Sequence, residues 1–208
     1  MLTSLSIIDF INETASDSPA PGGGSVSALA ASLGAALTSM VCRLTIGKKK
    51  YADVQEEIEN ILKQSEEFRS NFNAIVDEDS EAFKKVMSAY GLPKENEEQR
   101  TRRSAEIQEA IKTATLVPLK LMGLCVESMK LVKIIVERGN PNSLSDAGVA
   151  ALMLNAGYGG AALNVKINLG SLNDIDFVDQ AKINVEQYRV ILEPLTSDIL
   201  ARVNKHLQ

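Results

Sequence analysis

The chain has 208 residues, 45% of them hydrophobic, and a net charge of -5. That length carries one domain with a substantial core, and no shift in composition marks a second, so residues 1–208 read as a single unit. The acid excess excludes a general nucleic-acid binder, which needs a basic face for phosphate, and Cys42 and Cys125 sit in apolar helical patterns with neither metal-ligand spacing nor a disulfide framework, which suits a reduced, cytoplasmic setting.

Aromatic residues make up only 4% and tryptophan is absent, so the core must come from Ala, Leu, Val and Ile in closely packed helices. The opening MLTSLSIIDFINE lacks the basic start of a secretory signal. A short amphipathic helix is predicted over Leu5 to Thr14, with Ile7, Ile8 and Ile11 facing inward, and it ends at the breaker SDSPAPGGGS. A helix from Ser25 to Ile46 follows, roughly 33 Å long at about 1.5 Å per residue. Ser25, Ala28, Ser32, Ala36 and Ser39 give it one face of small residues. Its uncharged run, Ser25 to Cys42, touches the lower limit for a membrane span, but it is mostly Ala, Ser and Gly and reads as a buried helix, with no membrane partner.

After GKKKY, a helix from near Ala52 to Tyr90 is expected, then a polar break at GLPKENEEQR. The next helix runs from Glu97 to Arg138, where Pro118 is expected to kink or split it. Beyond ERGNPNSLSD lies a small-residue helix from Asp146, and a last helix from Asp176 to Lys205 with a bend expected at Pro194. No strand pattern competes. The predicted fold is all-α: an antiparallel up-and-down bundle of six to eight helices, with surfaces rich in Ala and Gly that suit a dimer.

One residue breaks the pattern. Phe68, Phe72, Ile75, Val76, Ala82, Phe83, Val86 and Tyr90 form one helical stripe, and Asp79, four residues after Ile75 and four before Phe83, falls on it. Asp77 and Glu81 instead share a polar face with Arg69, Asn73 and Lys84. An inward carboxylate is costly unless neutral, paired or lining a polar cavity, so Asp79 is either a structural acid bonded to a neighbouring helix or a catalytic one.

Three further groups have chemistry available. Pro21, Gly22, Gly23, Gly24 and Ser25 precede a helix N-terminus, whose free N–H groups favour an anion or electron-rich oxygen; the plainer reading is a loop with Ser25 as N-cap. Lys48, Lys49 and Lys50 form the one dense positive cluster, able to attract a polycarboxylate or phosphate, or simply solvated. Asp146, Ala150, Met153, Gly157, Ala161, Asn164 and Asn168 share a stripe whose amides can bond a heterocycle or, equally, a neighbouring helix, with Asp146 as orienter or, with Ser145, as cap. The lone histidine, His206, lies near the end, so a His-based triad and a metal site are not expected.

Taken together, PAPGGGSVSALAASLGAALTSMV, LTIGKKKY, DEDSEAF, the Ala-rich helix reaching VPL, NPNSLSDAGVAALML and NVKINL resemble the formiminotetrahydrofolate cyclodeaminase and methenyltetrahydrofolate cyclohydrolase family, in order and over nearly the whole chain. The resemblance implies an all-helical homodimer acting on a folate, polyglutamylated forms included, with no cofactor beyond that substrate. It assigns the catalytic carboxylate, the second Asp of D-x-D-x-E-A-F, to Asp79, and the first acid to Asp77. It also implies that the Gly-rich loop, the lysine segment, Asn140 and the helix carrying Asp146, Asn164 and Asn168 surround the folate. The activity it suggests first is cyclodeamination of 5-formiminotetrahydrofolate to 5,10-methenyltetrahydrofolate and ammonia, and second methenyltetrahydrofolate hydrolysis. The transferase half of the bifunctional members has no counterpart here. A silent folate-binding or oligomerisation module is the alternative of another class, and it would have no need of the costly Asp79.

Overall fold

A computed structural model describes residues 1–207, and among them the regular structure is helical throughout. The α-helices are α1 (Ile7–Thr14), α2 (Gly23–Thr45), α3 (Gln55–Tyr90), α4 (Glu97–Arg138), α5 (Leu144–Leu169) and α6 (Ile175–Leu207), with 3-10 turns at Leu2–Ser4, Lys49–Val54 and Pro141–Ser143. Their ends follow capping chemistry. Asn96 accepts from the Gln99 N–H at 2.9 Å, Glu97 and Glu98 open α4, and Arg138 closes it against the helix dipole.

Cross-helix contacts set the direction of each element. Ser25 meets Val76, Ser32 meets Asn73 and Ser39 meets Ser65, so α2 and α3 are antiparallel. Lys120 pairs with Glu78 and Arg138 with Glu57, so α3 and α4 are too. α6 then returns alongside α4, Lys112 pairing with Asp174 and Lys133 with Asp198. The up-and-down bundle closes on a core that includes Phe72, Ile75, Met122, Met129, Leu154, Leu192 and Ile199.

The small-residue faces of α2 and α5 meet each other inside the chain. A Cβ on Gly157 would lie 2.8 Å from the Ser27 carbonyl oxygen, and one on Gly34 would lie 2.8 Å from Leu154 Cγ, so only glycine lets these backbones approach this closely. α2 is long and apolar enough to cross a membrane, yet here it packs between α3 and α5.

Three expectations change. Ile7, Ile8 and Ile11 point outward, and Phe10 alone anchors α1, because one aromatic ring on the opposite edge buries more apolar surface than any single isoleucine. The inward stripe of α3 shifts after Ala82: Phe83 and Tyr90 are exposed, and Ala89, with Val86, packs against Ile107 and Ile111 of α4 instead. Pro118 does not split α4, and α6 continues through Pro194. Proline at 118 has no N–H for the Ala114 carbonyl one turn back, and Asn168 Nδ2 of α5 donates to that oxygen at 3.1 Å instead.

This substitution of one donor for another is testable as a double-mutant cycle. Asn168→Ala is expected to cost about 1–3 kcal/mol in wild-type background and much less in Pro118→Ala, where the backbone N–H is restored. Equal costs in the two backgrounds, read from denaturant titrations, would show that the Asn168 amide does not serve the Ala114 carbonyl.

Candidate active site

α2 begins without a side-chain cap of its own. Its N-cap is Gly22 and its first residues are Gly23 and Gly24, preceded by the buried Pro21 after a cis Ala20–Pro21 bond. Ser25 is therefore not the N-cap but the third helical residue, and its side chain crosses to α3. The Asp79 carboxylate comes from the middle of α3 to this bare N-terminus. Its Oδ2 accepts from Ser25 Oγ at 2.9 Å, and a Cβ built on Gly24 would collide with the carboxylate, so the glycine is what admits it.

Two effects compete at Asp79. Burial raises its pKa above the usual carboxylate value, and hydrogen bonding from the Ser25 hydroxyl and backbone N–H opposes that rise; burial wins. The Ser25 hydroxyl has a single proton but three acceptors in reach, Asp79 Oδ2 at 2.9 Å, the Val76 carbonyl at 2.9 Å and Ser80 Oγ at 3.2 Å. It can therefore follow the charge on Asp79, donating to the carboxylate when ionised and to Val76 when neutral.

Ser80 also connects this group to open space. It lines a cavity of about 470 Å³ together with Leu2, Ala20, Asp77, Glu81 and Lys84. Asp77 is engaged in holding the N-terminal turn, accepting from the Leu2 N–H at 2.6 Å and from Thr3 Oγ1 at 3.1 Å. Asn164 stands beside Gly23, its Nδ2 lying 3.5 Å from where a Cβ there would be, and donates to the Gly160 carbonyl of its own helix at 2.9 Å. Asn168 is on the same side of the bundle, committed to Ala114.

The remaining candidates gather elsewhere. Lys48, Lys49 and Lys50 are exposed beyond the other end of α2, which at about 1.5 Å per residue puts them roughly 35 Å from Asp79 in the same chain. Asn140 ties that end together: its Nδ2 donates to the Leu44 carbonyl at 3.0 Å, and its Oδ1 accepts from Tyr51 Oη at 3.2 Å and from the Asn142 N–H at 3.1 Å. Asp146 lies in the first turn of α5, and the N-cap is Ser143 rather than Ser145 or Asp146. Within one chain, then, these five residues do not join Asp79.

Sequence reasoning missed Ser80 and the pairing of Ser32 with Asn73, whose Oδ1 accepts from Ser32 Oγ at 2.6 Å. The heptad spacing of Ser25, Ser32 and Ser39 was the available signal for a polar seam between α2 and α3. Among the described residues, no three His, Cys, Asp or Glu side chains gather as metal ligands. Burial pushes the Cys42 thiol up to about 12 and the Cys125 thiol higher still, which leaves both unreactive.

Comparison with known proteins gives concordant findings. A family model described as Formiminotransferase-cyclodeaminase matches residues 6–187. A methenyltetrahydrofolate cyclohydrolase of Methylorubrum extorquens is 48% identical over 171 residues, covering 82% of each chain. A formimidoyltransferase-cyclodeaminase of Rattus norvegicus is 35% identical over 181 residues, which cover 87% of this chain and 34% of the rat protein, so the chain spans about a third of that bifunctional relative. The crystal structure of formiminotetrahydrofolate cyclodeaminase from Thermotoga maritima superposes with a TM-score of 0.91 at 30% identity, over 100% of both chains.

The raised proton affinity of Asp79 has a sign that stability measurements can read. The folded chain holds this proton more tightly than the unfolded one, so stability is lost as pH rises from the usual carboxylate range through the raised folded pKa, and the deficit is constant above it. Asp79→Asn does not titrate, so its Tm relative to wild type should climb across that window and then level. A wild-type advantage growing with pH would mean that hydrogen bonding outweighs burial. Gly24→Ala, which drives a methyl into the carboxylate, should cost about 1–3 kcal/mol.

Proposed function

The chain belongs to the formiminotransferase-cyclodeaminase family, and we propose from that premise that Asp79 moves the proton in an enzyme acting on the one-carbon bridge of tetrahydrofolate. The observation that carries this reading is a partly buried carboxylate, at a glycine-built helix N-terminus, with its proton affinity raised by that burial. A free Asp, with a pKa near ~3.9, is a weak base for transfer near neutrality, and burial shifts Asp79 in the direction that strengthens it.

The first reaction is hydrolysis of methenyltetrahydrofolate, placed ahead because the relative bearing that name is similar over 82% of both chains. The methenyl carbon is an amidinium between nitrogens 5 and 10. Water adds to it as Asp79 takes a proton, the positive charge is quenched, and the carbon becomes tetrahedral. Asp79 then returns the proton to the departing nitrogen. The remaining hydroxyl proton goes to solvent as the formyl carbonyl forms. Free N–H groups at the start of α2 and the Ser25 hydroxyl keep Asp79 in place as its charge changes.

Cyclodeamination, the reaction that the family resemblance suggests first, is the second reading, favoured by the likeness to the Thermotoga maritima protein over the full chain. Nitrogen 10 then attacks the carbon of the formimino group in its protonated, amidinium form, Asp79 takes the nitrogen 10 proton and passes it to the departing amino group, and ammonia leaves as the positive charge stays on the methenyl bridge. Both routes need one carboxylate of raised pKa beside one carbon, and holding the two nitrogens of one flexible substrate together supplies much of the rest. The buried, unpaired Cys42 and Cys125 support a reducing, cytoplasmic setting.

Offering the purified chain each folate in turn and following methenyl absorbance separates the two: loss marks the hydrolase and gain the cyclodeaminase. Asp79→Asn should keep the fold and lower turnover by about 10²–10⁴-fold. Near-normal turnover of both folates by Asp79→Asn would remove Asp79 from the chemistry.

A further inference from the structure

Hydrolysis turns a methenyl cation into a neutral formyl group, so each turnover releases one proton that has to reach water. Asp79 can take it once it has returned the first proton to the nitrogen. The carboxylate is only partly exposed, and its exposed edge is the one that a folate within reach of it must cover.

A second way out begins at Oδ2. That atom lies 2.9 Å from Ser25 Oγ, which lies 3.2 Å from Ser80 Oγ. Ser25 is fully buried and Ser80 is 5% exposed, so both hydroxyls are shielded from bulk water, and each can accept one proton while giving up another. Among the described residues Ser80 Oγ bonds only to Ser25, which leaves the Ser80 proton free to point into the cavity of about 470 Å³ that Ser80 lines. Asp77, Ser80, Glu81 and Lys84 line it at the three- and four-residue spacing of one face of α3, and Asp79 falls off that face. The cavity has room for several waters, and Glu13, Glu81 and Lys84, all exposed, open it to solvent.

We propose that Ser25 and Ser80 form a proton relay from Asp79 to this cavity, which discharges the proton of hydrolysis while product still covers the exposed edge of Asp79. The proposal rests on the folate reading above, in its hydrolytic form.

In the relay the Asp79 O–H bond breaks as one forms on Ser25 Oγ, the original Ser25 proton passes to Ser80 Oγ, and the Ser80 proton passes to a cavity water. A carboxylate and two neutral hydroxyls remain. Ser25 can turn back through the Val76 carbonyl, 2.9 Å away, before the next transfer. Charge favours the outward direction: the cavity wall carries Glu13, Asp77 and Glu81 against Lys84, which pairs with Glu81 at 2.7 Å, so a departing proton enters a negative potential. Draining Asp79 also commits the reaction, because a proton left there can return to the formyl oxygen and reclose the ring. Cyclodeamination of the amidinium form releases no net proton and has no need of the relay.

Ser80→Ala removes the outer hydroxyl and leaves Asp79 and Ser25 in place. On methenyltetrahydrofolate it should lower kcat by about 10–100-fold, less than the loss of Asp79 itself, with KM changed less than about twofold. Its kcat should then rise with imidazole concentration at constant pH and ionic strength, since a small base in the cavity takes the proton from Ser25; a packing defect gives no such rescue. Wild-type kcat in Ser80→Ala, or a loss that imidazole does not restore, overturns the relay. The hydrogen bond it needs is read without substrate: the unfolding constants of Ser25→Ala, Ser80→Ala and the double variant should show a coupling of about fivefold, and additive effects also overturn the relay. Wild-type protein that turns over neither folate refutes the folate reading and the relay with it, and one that only closes formiminotetrahydrofolate refutes the relay. An active hydrolase with an unimpaired Ser80→Ala refutes the relay alone.

Discussion

The approach of Asp79 to the first turn of α2 is the contact on which the rest of the site depends. It needs a helix start with no side chain in the way, which Gly24 provides, and a partner helix close enough to put a short side chain across the gap. The α2–α3 seam provides that closeness. Serines at heptad spacing on α2 meet Ser80, Asn73 and Ser65 on α3, so small polar groups hold the two backbones near each other where large apolar residues would wedge them apart. On its other side α2 is held by the equally close glycine packing against α5. α2 is thus fixed from two directions, and its N-terminus is presented to Asp79 as a rigid, uncapped set of donors.

Such a site works against the stability of the fold. A carboxylate at a helix N-terminus is ordinarily favourable, through the dipole and the free N–H groups. Here burial outweighs that gain, and the net effect is a raised proton affinity. The chain could relieve this by opening Asp79 fully to water, and the structure keeps it partly buried. The same burial that destabilises the charged form makes the group a stronger proton acceptor than a free Asp. Ser25 moderates the cost, because a hydroxyl able to turn between the carboxylate and the Val76 carbonyl stabilises both protonation states without either being left unsatisfied.

Much of this was readable in the residues, because the strongest signals were local. The helical period of α3 singled out Asp79, and the glycines before Ser25 marked a helix start. The polar break from Gly91, with a helix start at Glu97, bounded α3 and α4 well. What the sequence hid was pairwise. That Pro118 would be tolerated depended on Asn168, fifty positions later and on another helix, donating to the Ala114 carbonyl. That Asp77 would be held by Leu2 and Thr3, while its neighbour two residues on entered the site, depended on where an N-terminal 3-10 turn came to rest. The outward turn of Ile7, Ile8 and Ile11 is of the same kind, since periodicity identifies an apolar face but not whether another element arrives to cover it.

The separation of the lysines from Asp79 follows from a different property of long helices. A motif reading treats residues that serve one ligand as converging, and in compact α/β folds loops at one sheet edge often do so. A helix of 23 residues cannot bend its ends together, so the two ends of α2 belong to opposite poles of the bundle. Folates are themselves elongated, with a fused ring at one end and carboxylates at the other. An up-and-down bundle has no interior path for such a molecule that is not already filled by side chains packed at core density. On the proposed reading, a folate therefore lies along an outer surface of the bundle and not through it.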